Sequence, residues 1–370
     1  MKCIYCQRDS RKSERFGGVC PGCGKAFAFD PSTQGQPTDP AFQAAIDRVS
    51  GTGTVRFTDD NLYFELARTK FGKKGSVIGC LPVLMIPVLG FLGIAVTPWL
   101  LLVALALFVG VAIWKPKETP LVTLSHGDFG IWLGLWKGAH GLPAGLIQPR
   151  TALPAAEHIQ AMRAELEQYS FDRAVICDRR ETVDLLLANN FHFENNCAIL
   201  SIDGYPASVF DLVLAMLKRN PKLHIFALHD ATLAGCSMAH RLATDPAWFV
   251  GQGPIFDVGL RPAHAAAFHG LWQDALPHER KAPCPPGVTQ EEYAWLRHFR
   301  LSLAAVRPEQ VIKRLFRAIS ERKADPTSFD NGDSTALATR SANSERVTRM
   351  DTVIFASDAG ASDGGGDSFG

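Results

Sequence analysis

Four cysteines near the N-terminus have the types and spacing of a metal site. Cys3 and Cys6 form one C-x-x-C pair, and Cys20 and Cys23 form a second pair after thirteen intervening residues. Two such pairs offer four thiolates to a single ion, which is the ligand set of a structural zinc ribbon. Since all four ligands are cysteines, no position is left open for a catalytic water. The spacing predicts a structural zinc ion, with a redox-active dithiol pair or two disulfides as the alternatives.

Two aspartates are the second group of residues that could do chemistry. Asp178 directly follows the apolar run at 174–177, and Asp230 lies just after the apolar run at 224–228. Short runs rich in Ile, Val and Leu are typical of strands that are covered on both faces of a sheet. Ligands of parallel α/β sheets bind at the carboxyl ends of the strands. Both aspartates are therefore expected at the edge of the sheet where a ligand would bind.

The elements that would position these aspartates alternate along the chain. Four apolar runs are predicted strands: 174–177, 197–202, 224–228 and 255–260. Between them lie three segments whose apolar residues have helical spacing, so the order predicts an α/β fold with a mostly parallel sheet and flanking helices. Two further helices are predicted at 289–306 and 308–324, and a short helix followed by a strand pair is predicted at 42–70.

The segment 76–114 is almost wholly apolar and has no charged residue in 39 positions. Because one spanning helix needs about 20 residues, the segment predicts a two-helix transmembrane hairpin that breaks at Thr97-Pro98. A buried helix pair is the alternative. Basic residues flank the segment, at Arg68, Lys70, Lys73, Lys74, Lys115 and Lys117. The positive-inside rule then places both termini in the cytoplasm. These patterns predict a multi-pass protein of the inner (cytoplasmic) membrane, with the lipid bilayer as a partner and a homo-oligomer formed through the hairpin.

Composition and patterning divide the 370 residues into five parts. They are a zinc ribbon at 1–30, a linker and small α/β segment at 31–75, the hairpin at 76–114, a cytoplasmic α/β domain at 118–325, and a disordered tail at 326–370. The formal charge of +1 gives no electrostatic case for a nucleic-acid partner of the whole chain. Four of the nine cysteines lie in the ribbon, which favours a reducing cytosol over a disulfide framework.

Four stretches between residues 173 and 262 resemble the Toprim domain, in the version of the topoisomerase VI A subunit. They read "VICDRRETVDLLL", "AILSIDGYP", "IFALHDATLAGCSMAHRL" and "DVGLRP". In that family the first strand ends in a catalytic acid, the second leads to a Gly-Tyr-Pro turn, and the third leads to an Asp-x-Asp-Pro-x-Gly loop. Gly204, Tyr205 and Pro206 match the turn, while Asp230 and Gly235 match the loop. The resemblance does not reach the ribbon, the hairpin or the tail.

This resemblance implies that Asp178 is a general acid or base and that Asp230 helps to hold Mg²⁺. The chain departs from the family at both places, because Asp178 stands where the family has Glu and Thr232 stands where the loop has its second Asp. Glu181 and Asp203 could complete a metal site, or could serve as helix-start and turn residues. The simplest expectation is a Toprim-like domain at 118–325 whose metal loop is partly dismantled.

The sequence therefore leads to one main hypothesis and two alternatives about function. The main hypothesis is a membrane-anchored, cytoplasm-facing interaction protein, whose zinc ribbon and inactive Toprim-like domain bind a protein or nucleic-acid partner. The first alternative is a membrane-tethered, Mg²⁺-dependent nuclease or phosphotransferase that acts through Asp178 and Asp230. In the second alternative, the hairpin oligomerises to permeabilise the membrane.

Overall fold

The computed structural model describes residues 1–30, 35–73, 121–148 and 171–323. The N-terminal part contains the four-cysteine ribbon, whose two turns are closed by backbone bridges between Lys2 and Asp9 and between Val19 and Ala26. Three helices follow: α1 (Asp39–Val49), α2 (Asp59–Lys73) and α3 (His126–His140). Their aromatic side chains pack together, with the rings of Phe42 and Trp136 stacked at 4.7 Å between centroids.

Helix α2 lies where a strand pair was predicted. The residues from Asn61 to Ala67 are all buried, and the run Leu62-Tyr63-Phe64 is apolar and partly aromatic, which locally favours a strand. Its N-terminus is capped locally, because Asn61 Oδ1 accepts hydrogen bonds from the backbone nitrogen and the hydroxyl of Thr58, at 3.0 and 2.8 Å. The strand-pair prediction is wrong, because packing of the whole helix against its neighbours outweighs the local strand preference of its aromatic residues.

A four-stranded parallel sheet forms the centre of the fold. Its strands are β1 (Arg173–Cys177), β2 (Cys197–Ser201), β3 (His224–Leu228) and β4 (Ile255–Asp257), in the spatial order β2-β1-β3-β4. Cys177 at the end of β1 pairs with Ser201 of β2 and with Leu228 of β3. The carboxyl ends of these three strands therefore meet at one edge, and the prediction of an α/β fold with a parallel sheet is confirmed.

Helices cover both faces of this sheet. They are α4 (Arg180–Ala188), α5 (Phe191–Asn195), α6 (Phe210–Arg219), α7 (Leu233–Cys236) and α8 (Met238–Thr244). Within β1, Val175 belongs to one buried cluster, whereas its neighbours Ala174 and Ile176 belong to another. Because successive strand residues point to opposite faces, this alternation shows that the sheet is buried between two apolar layers.

The C-terminal part closes over the edge of the sheet. It contains a two-stranded antiparallel pair, β5 (Gln273–Asp274) and β6 (Phe299–Arg300), and the helices α9 (Gln290–Leu296) and α10 (Pro308–Lys323). The single helix predicted at 289–306 thus ends early. Phe299, Leu301 and Leu303 alternate with polar residues, and this period of two favours the extended strand that the structure has.

The prediction of a membrane anchor requires correction. In the ranges that the structure describes, no helix is long and apolar enough to cross a membrane. The longest described helix, α10, has 16 residues, whereas a spanning helix needs about 20 apolar residues. The segments 76–114 and 326–370, on which the hairpin and the disordered tail were predicted, lie outside the described residues. The structure does not support the hairpin, the inner-membrane location or the bilayer as a partner, and we withdraw these predictions.

Candidate functional site

The four ribbon cysteines come together as a metal site. All four Sγ atoms lie within 4.8 Å of one another, with 3.7 Å between those of Cys3 and Cys23 and 3.6 Å between those of Cys6 and Cys20. A tetrahedral site with Zn–S bonds of about 2.3 Å has S–S edges of about 3.8 Å. The thiols are free, so the donor set fits a metal such as zinc.

Backbone groups in the ribbon prepare a thiolate. The backbone nitrogen of Gly22 donates to Cys20 Sγ at 3.4 Å. This hydrogen bond, together with one from the backbone of Cys23, lowers the pKa of Cys20 to about 6. A metal ligand must be deprotonated to bind, so the fold of the ribbon favours the binding form of this thiol.

A polar chain attaches the ribbon to the helices behind it. Tyr5 of the ribbon is hydrogen-bonded through its hydroxyl to Nδ1 of His140 at 3.2 Å. Nε2 of the same ring donates to Asp39 Oδ2 at 2.7 Å, and Asp39 also accepts hydrogen bonds from the backbone nitrogens of Ala28 and Phe29. The ribbon therefore contacts α3 through His140 and α1 through Asp39.

The two candidate aspartates meet at the carboxyl edge of the sheet. Asp178 directly follows β1 and Asp230 lies in the loop after β3, where the backbone nitrogen of Asp230 donates to Asp178 Oδ2 at 2.7 Å. Both side chains line a cavity of about 560 Å³. The strand order brings the two predicted carboxyl groups into one polar site.

Asp178 has an unusual environment for a carboxyl group. Its Oδ1 atom is buried and has no hydrogen-bond partner among the described residues. Burial, and next the negative charge of Asp230, raise the pKa of Asp178 to about 7, although the nearby charge of His229 opposes the shift. Near neutral pH the group is therefore present both as the acid and as the carboxylate, which is the condition for efficient proton transfer.

Asp230 differs from Asp178 because both of its oxygens have partners. Oδ1 accepts hydrogen bonds from the backbone nitrogen of Leu303 at 2.6 Å and from the hydroxyl of Ser302 at 3.4 Å. Oδ2 lies 3.5 Å from Nη1 of Arg179. Burial raises the pKa of Asp230, while the charge of Arg179 acts in the opposite direction.

Arg179 is the principal cation of the site, and sequence reasoning missed it. Besides Asp230, its guanidinium pairs with Asp60 at 3.2 Å and with Glu181 at 3.4 Å. The first of these acids belongs to α2, which is more than a hundred residues away in the chain. The only local signal was an arginine directly after Asp178, and its partners could be recognised only in the folded structure.

Thr232 shows what replaces the second acid of the loop. Its Oγ1 accepts a hydrogen bond from the backbone nitrogen of Gly235 at 3.0 Å, so the side chain caps the N-terminus of α7. A Cβ at Gly235 would lie 2.3 Å from the carbonyl oxygen of Asp230. The loop is therefore built around a tight helix start rather than around an ion.

The residues at this edge do not fit a magnesium site. Mg²⁺ takes oxygen ligands in an octahedral arrangement, but Asp230 is already engaged by a guanidinium and by hydrogen-bond donors. Glu181 is exposed and faces Arg179, and Asp203 is an exposed residue after β2 that lines the cavity. Within the described ranges, the four cysteines are the only cluster of three or more metal-ligating side chains close enough to share an ion.

A buried ionic network packs against the loop that carries Asp230. His229 is fully buried, and both of its ring nitrogens face acceptors, the carbonyl of Asp230 at 2.8 Å and Oδ1 of Asp257 at 2.9 Å. Burial, the largest influence, lowers the pKa of His229, but the carboxylates of Asp257 and Asp178 and the carbonyl of Asp230 together raise it, and the net shift is upward. Arg261 continues the network by pairing with Asp257 at 2.5 Å and with Glu292 at 2.9 Å.

Comparisons with protein-family models, with curated proteins and with solved structures found no match to this chain. The resemblance to the Toprim domain therefore stays a prediction that rests on the four stretches between residues 173 and 262. The geometry of the site is the basis for a functional proposal.

Proposed function

We propose that the cavity at the carboxyl edge of the sheet is an enzyme active site that uses Asp178 for general acid–base catalysis without a divalent ion. One observation carries this proposal: the Oδ1 atom of Asp178 is buried beside a cavity of about 560 Å³ and has no hydrogen-bond partner in the described part of the chain. A buried polar atom without a partner costs free energy. A carboxyl group in a cleft whose pKa is shifted by burial and by a neighbouring charge is a candidate functional residue.

The neighbouring groups suit Asp178 to proton transfer. The amide of Asp230 donates to Oδ2, so the carboxyl group keeps one orientation, and no group of the described residues uses the hydrogen-bonding capacity of Oδ1. Burial, and next the charge of Asp230, raise the pKa of Asp178, and Arg179 lies 3.5 Å from Asp230 and balances its charge. The imidazolium of His229 donates to the carbonyl of Asp230 and so helps to fix the loop.

The same proposal includes a Toprim-like ancestry of the sheet, of the topoisomerase VI A subunit type. It is supported by the acids after the first and third strands, which contact each other, and by the turn at Gly204, whose φ is +79°. In this interpretation, Arg179 supplies the positive charge that a metal ion would otherwise supply. The ribbon takes a structural zinc ion, and its role in binding a protein or nucleic-acid partner stays a prediction.

Turnover of a panel of phosphate and carboxylate esters by the zinc-loaded full chain tests this proposal. No magnesium or manganese is added, and the rate is measured between pH 5 and pH 9. We expect a rate that changes around pH 7 and that is lost in Asp178→Asn. Asp172→Asn is the matched control, because Asp172 is an exposed aspartate at the opposite end of β1. Activity that requires added Mg²⁺, or that survives in Asp178→Asn, contradicts the proposal.

A further inference from the structure

Arg300 is a cation of the cavity wall that has no counter-charge within the described residues. Three arginines line the cavity. Arg179 faces three carboxylates, and Arg241 has Asp245 at 3.5 Å. Arg300, in contrast, makes no ion pair with any residue in the described ranges, and its Nε atom is buried without a hydrogen-bond partner. Among the three arginines of the cavity wall, Arg300 is thus the one whose charge is not balanced by a carboxylate of the described residues, and it could bind an anionic ligand.

The backbone holds Arg300 next to the loop of Asp230. Arg300 lies opposite Gln273 in the β5–β6 pair. The following residue, Leu301, exchanges two backbone hydrogen bonds with Ala231, at 2.9 and 3.2 Å, and the backbone nitrogen of Leu303 donates to Asp230. Because the backbone is held on both sides of Arg300, binding a ligand there does not carry the additional cost of ordering a loop.

The chemistry of the free groups identifies the ligand class. A guanidinium group is a planar fork of donors that matches the oxygens of an anion, and Arg300 brings such a group to the cavity wall. Asp178 in its acid form adds one more donor at the same cavity. A phosphoryl group has enough terminal oxygens to accept hydrogen bonds from both residues.

We propose that the substrate of this site carries a phosphoryl group and that Arg300 is the residue that binds it. This inference rests on the proposed function, because it names the substrate class of the same cavity. Arg300 binds the phosphoryl group, and Asp178 exchanges a proton with the phosphoryl group that Arg300 binds.

Calorimetric titration of the full chain with inorganic phosphate tests the inference, and acetate serves as the carboxylate probe. We expect phosphate to bind more tightly than acetate, and Arg300→Gln to weaken phosphate binding by about tenfold or more. Arg297→Gln is the matched control, because Arg297 is an exposed arginine three residues earlier, and its phosphate affinity is expected to equal that of the wild type. Arg300→Lys keeps the charge without the fork and is expected to fall between the two.

Each result decides the inference. Phosphate binding that is absent in the wild type, or equally tight in folded Arg300→Gln, overturns it, and so does acetate binding as tight as that of phosphate. Circular dichroism checks the fold, and Arg300→Lys supplies a second variant if the glutamine variant does not fold. Asp178→Asn separates the two proposals, because it is expected to bind phosphate while losing turnover. If the proposed catalytic role of Asp178 is wrong, Arg300→Gln is still expected to lose phosphate binding, so the two proposals can fail separately.

Discussion

Replacing Asp178 by asparagine is expected to stabilise the protein at neutral and alkaline pH while it removes the proposed catalytic group. The pKa of Asp178 is about 7 in the folded chain, and its ordinary value is 3.8. Between these values the folded chain keeps a proton that the unfolded chain has released. The free energy of unfolding therefore falls as the pH rises from about 4 to about 7 and is level above pH 7.

The size of the effect follows from the same shift. Each pH unit in this window costs about 1.4 kcal/mol per proton, so the wild type loses about 3 kcal/mol between pH 5 and pH 7 through this one group. Asparagine does not titrate, and its Oδ1 can still accept the hydrogen bond from the amide of Asp230. The stability gap between Asp178→Asn and the wild type is therefore expected to widen by about 3 kcal/mol from pH 5 to pH 8.

Urea denaturation of the full chain at pH 5 and pH 8 measures this gap. The control is Asp172→Asn, which removes an exposed carboxylate from the other end of β1 and is expected to leave the gap unchanged with pH. A gap for Asp178→Asn that stays constant between pH 5 and pH 8 would refute the reasoning, because it would mean that Asp178 is already ionised at pH 5.

Three further predictions concern the support of the site, the ribbon and the affinity of the site for a divalent ion. Gly259→Ala is expected to destabilise the fold by about 1–3 kcal/mol in urea denaturation, because an added Cβ would lie 2.4 Å from Cδ2 of His229. Cys23→Ser is expected to lose most of its zinc, measured by metal analysis of the purified protein, since one of four thiolate ligands is gone. Arg179→Met is expected to bind Mn²⁺ more tightly than the wild type in calorimetry of zinc-saturated protein, because three carboxylates lose their counter-charge.

Each of these variants has a matched control. Gly130→Ala adds a Cβ where no atom lies within 4 Å, so its stability is expected to be unchanged or slightly raised. Cys284→Ser removes a free cysteine outside the ribbon and is expected to keep its zinc, and Arg180→Met removes an exposed arginine beside Arg179. Unchanged stability in the first variant, full zinc content in the second, or unchanged Mn²⁺ affinity in the third would contradict the corresponding prediction.

The parallel sheet and its acidic edge were predictable because they depend on local patterns. Short apolar runs that alternate with amphipathic helices imply parallel strands, and parallel strands bring their carboxyl ends to one edge. This argument was sufficient to bring Asp178 and Asp230 together. The four cysteines were predictable for a similar reason, since two C-x-x-C pairs define a site through their own spacing.

The cations of the site were not predictable, because their roles depend on contacts between distant segments. Arg179 faces Asp60 of α2, and Arg300 reaches the cavity only because Leu301 pairs with Ala231. The alternation in "FRLSL" was the one local signal for that extended segment. The membrane anchor, in contrast, was inferred from the uncharged run at 76–114 and its basic flanks, and no helix in the described ranges is long and apolar enough to support it.

The central claim is that Asp178 titrates near neutral pH because its Oδ1 atom is buried and the carboxylate of Asp230 lies close by. Carbon-detected NMR of the side-chain carboxyl groups, on full-length protein labelled at aspartate, tests it most directly. The account predicts one aspartate signal that titrates near pH 7 and that is missing from the spectrum of Asp178→Asn. An Asp178 signal that is fully ionised at pH 5 would contradict the account.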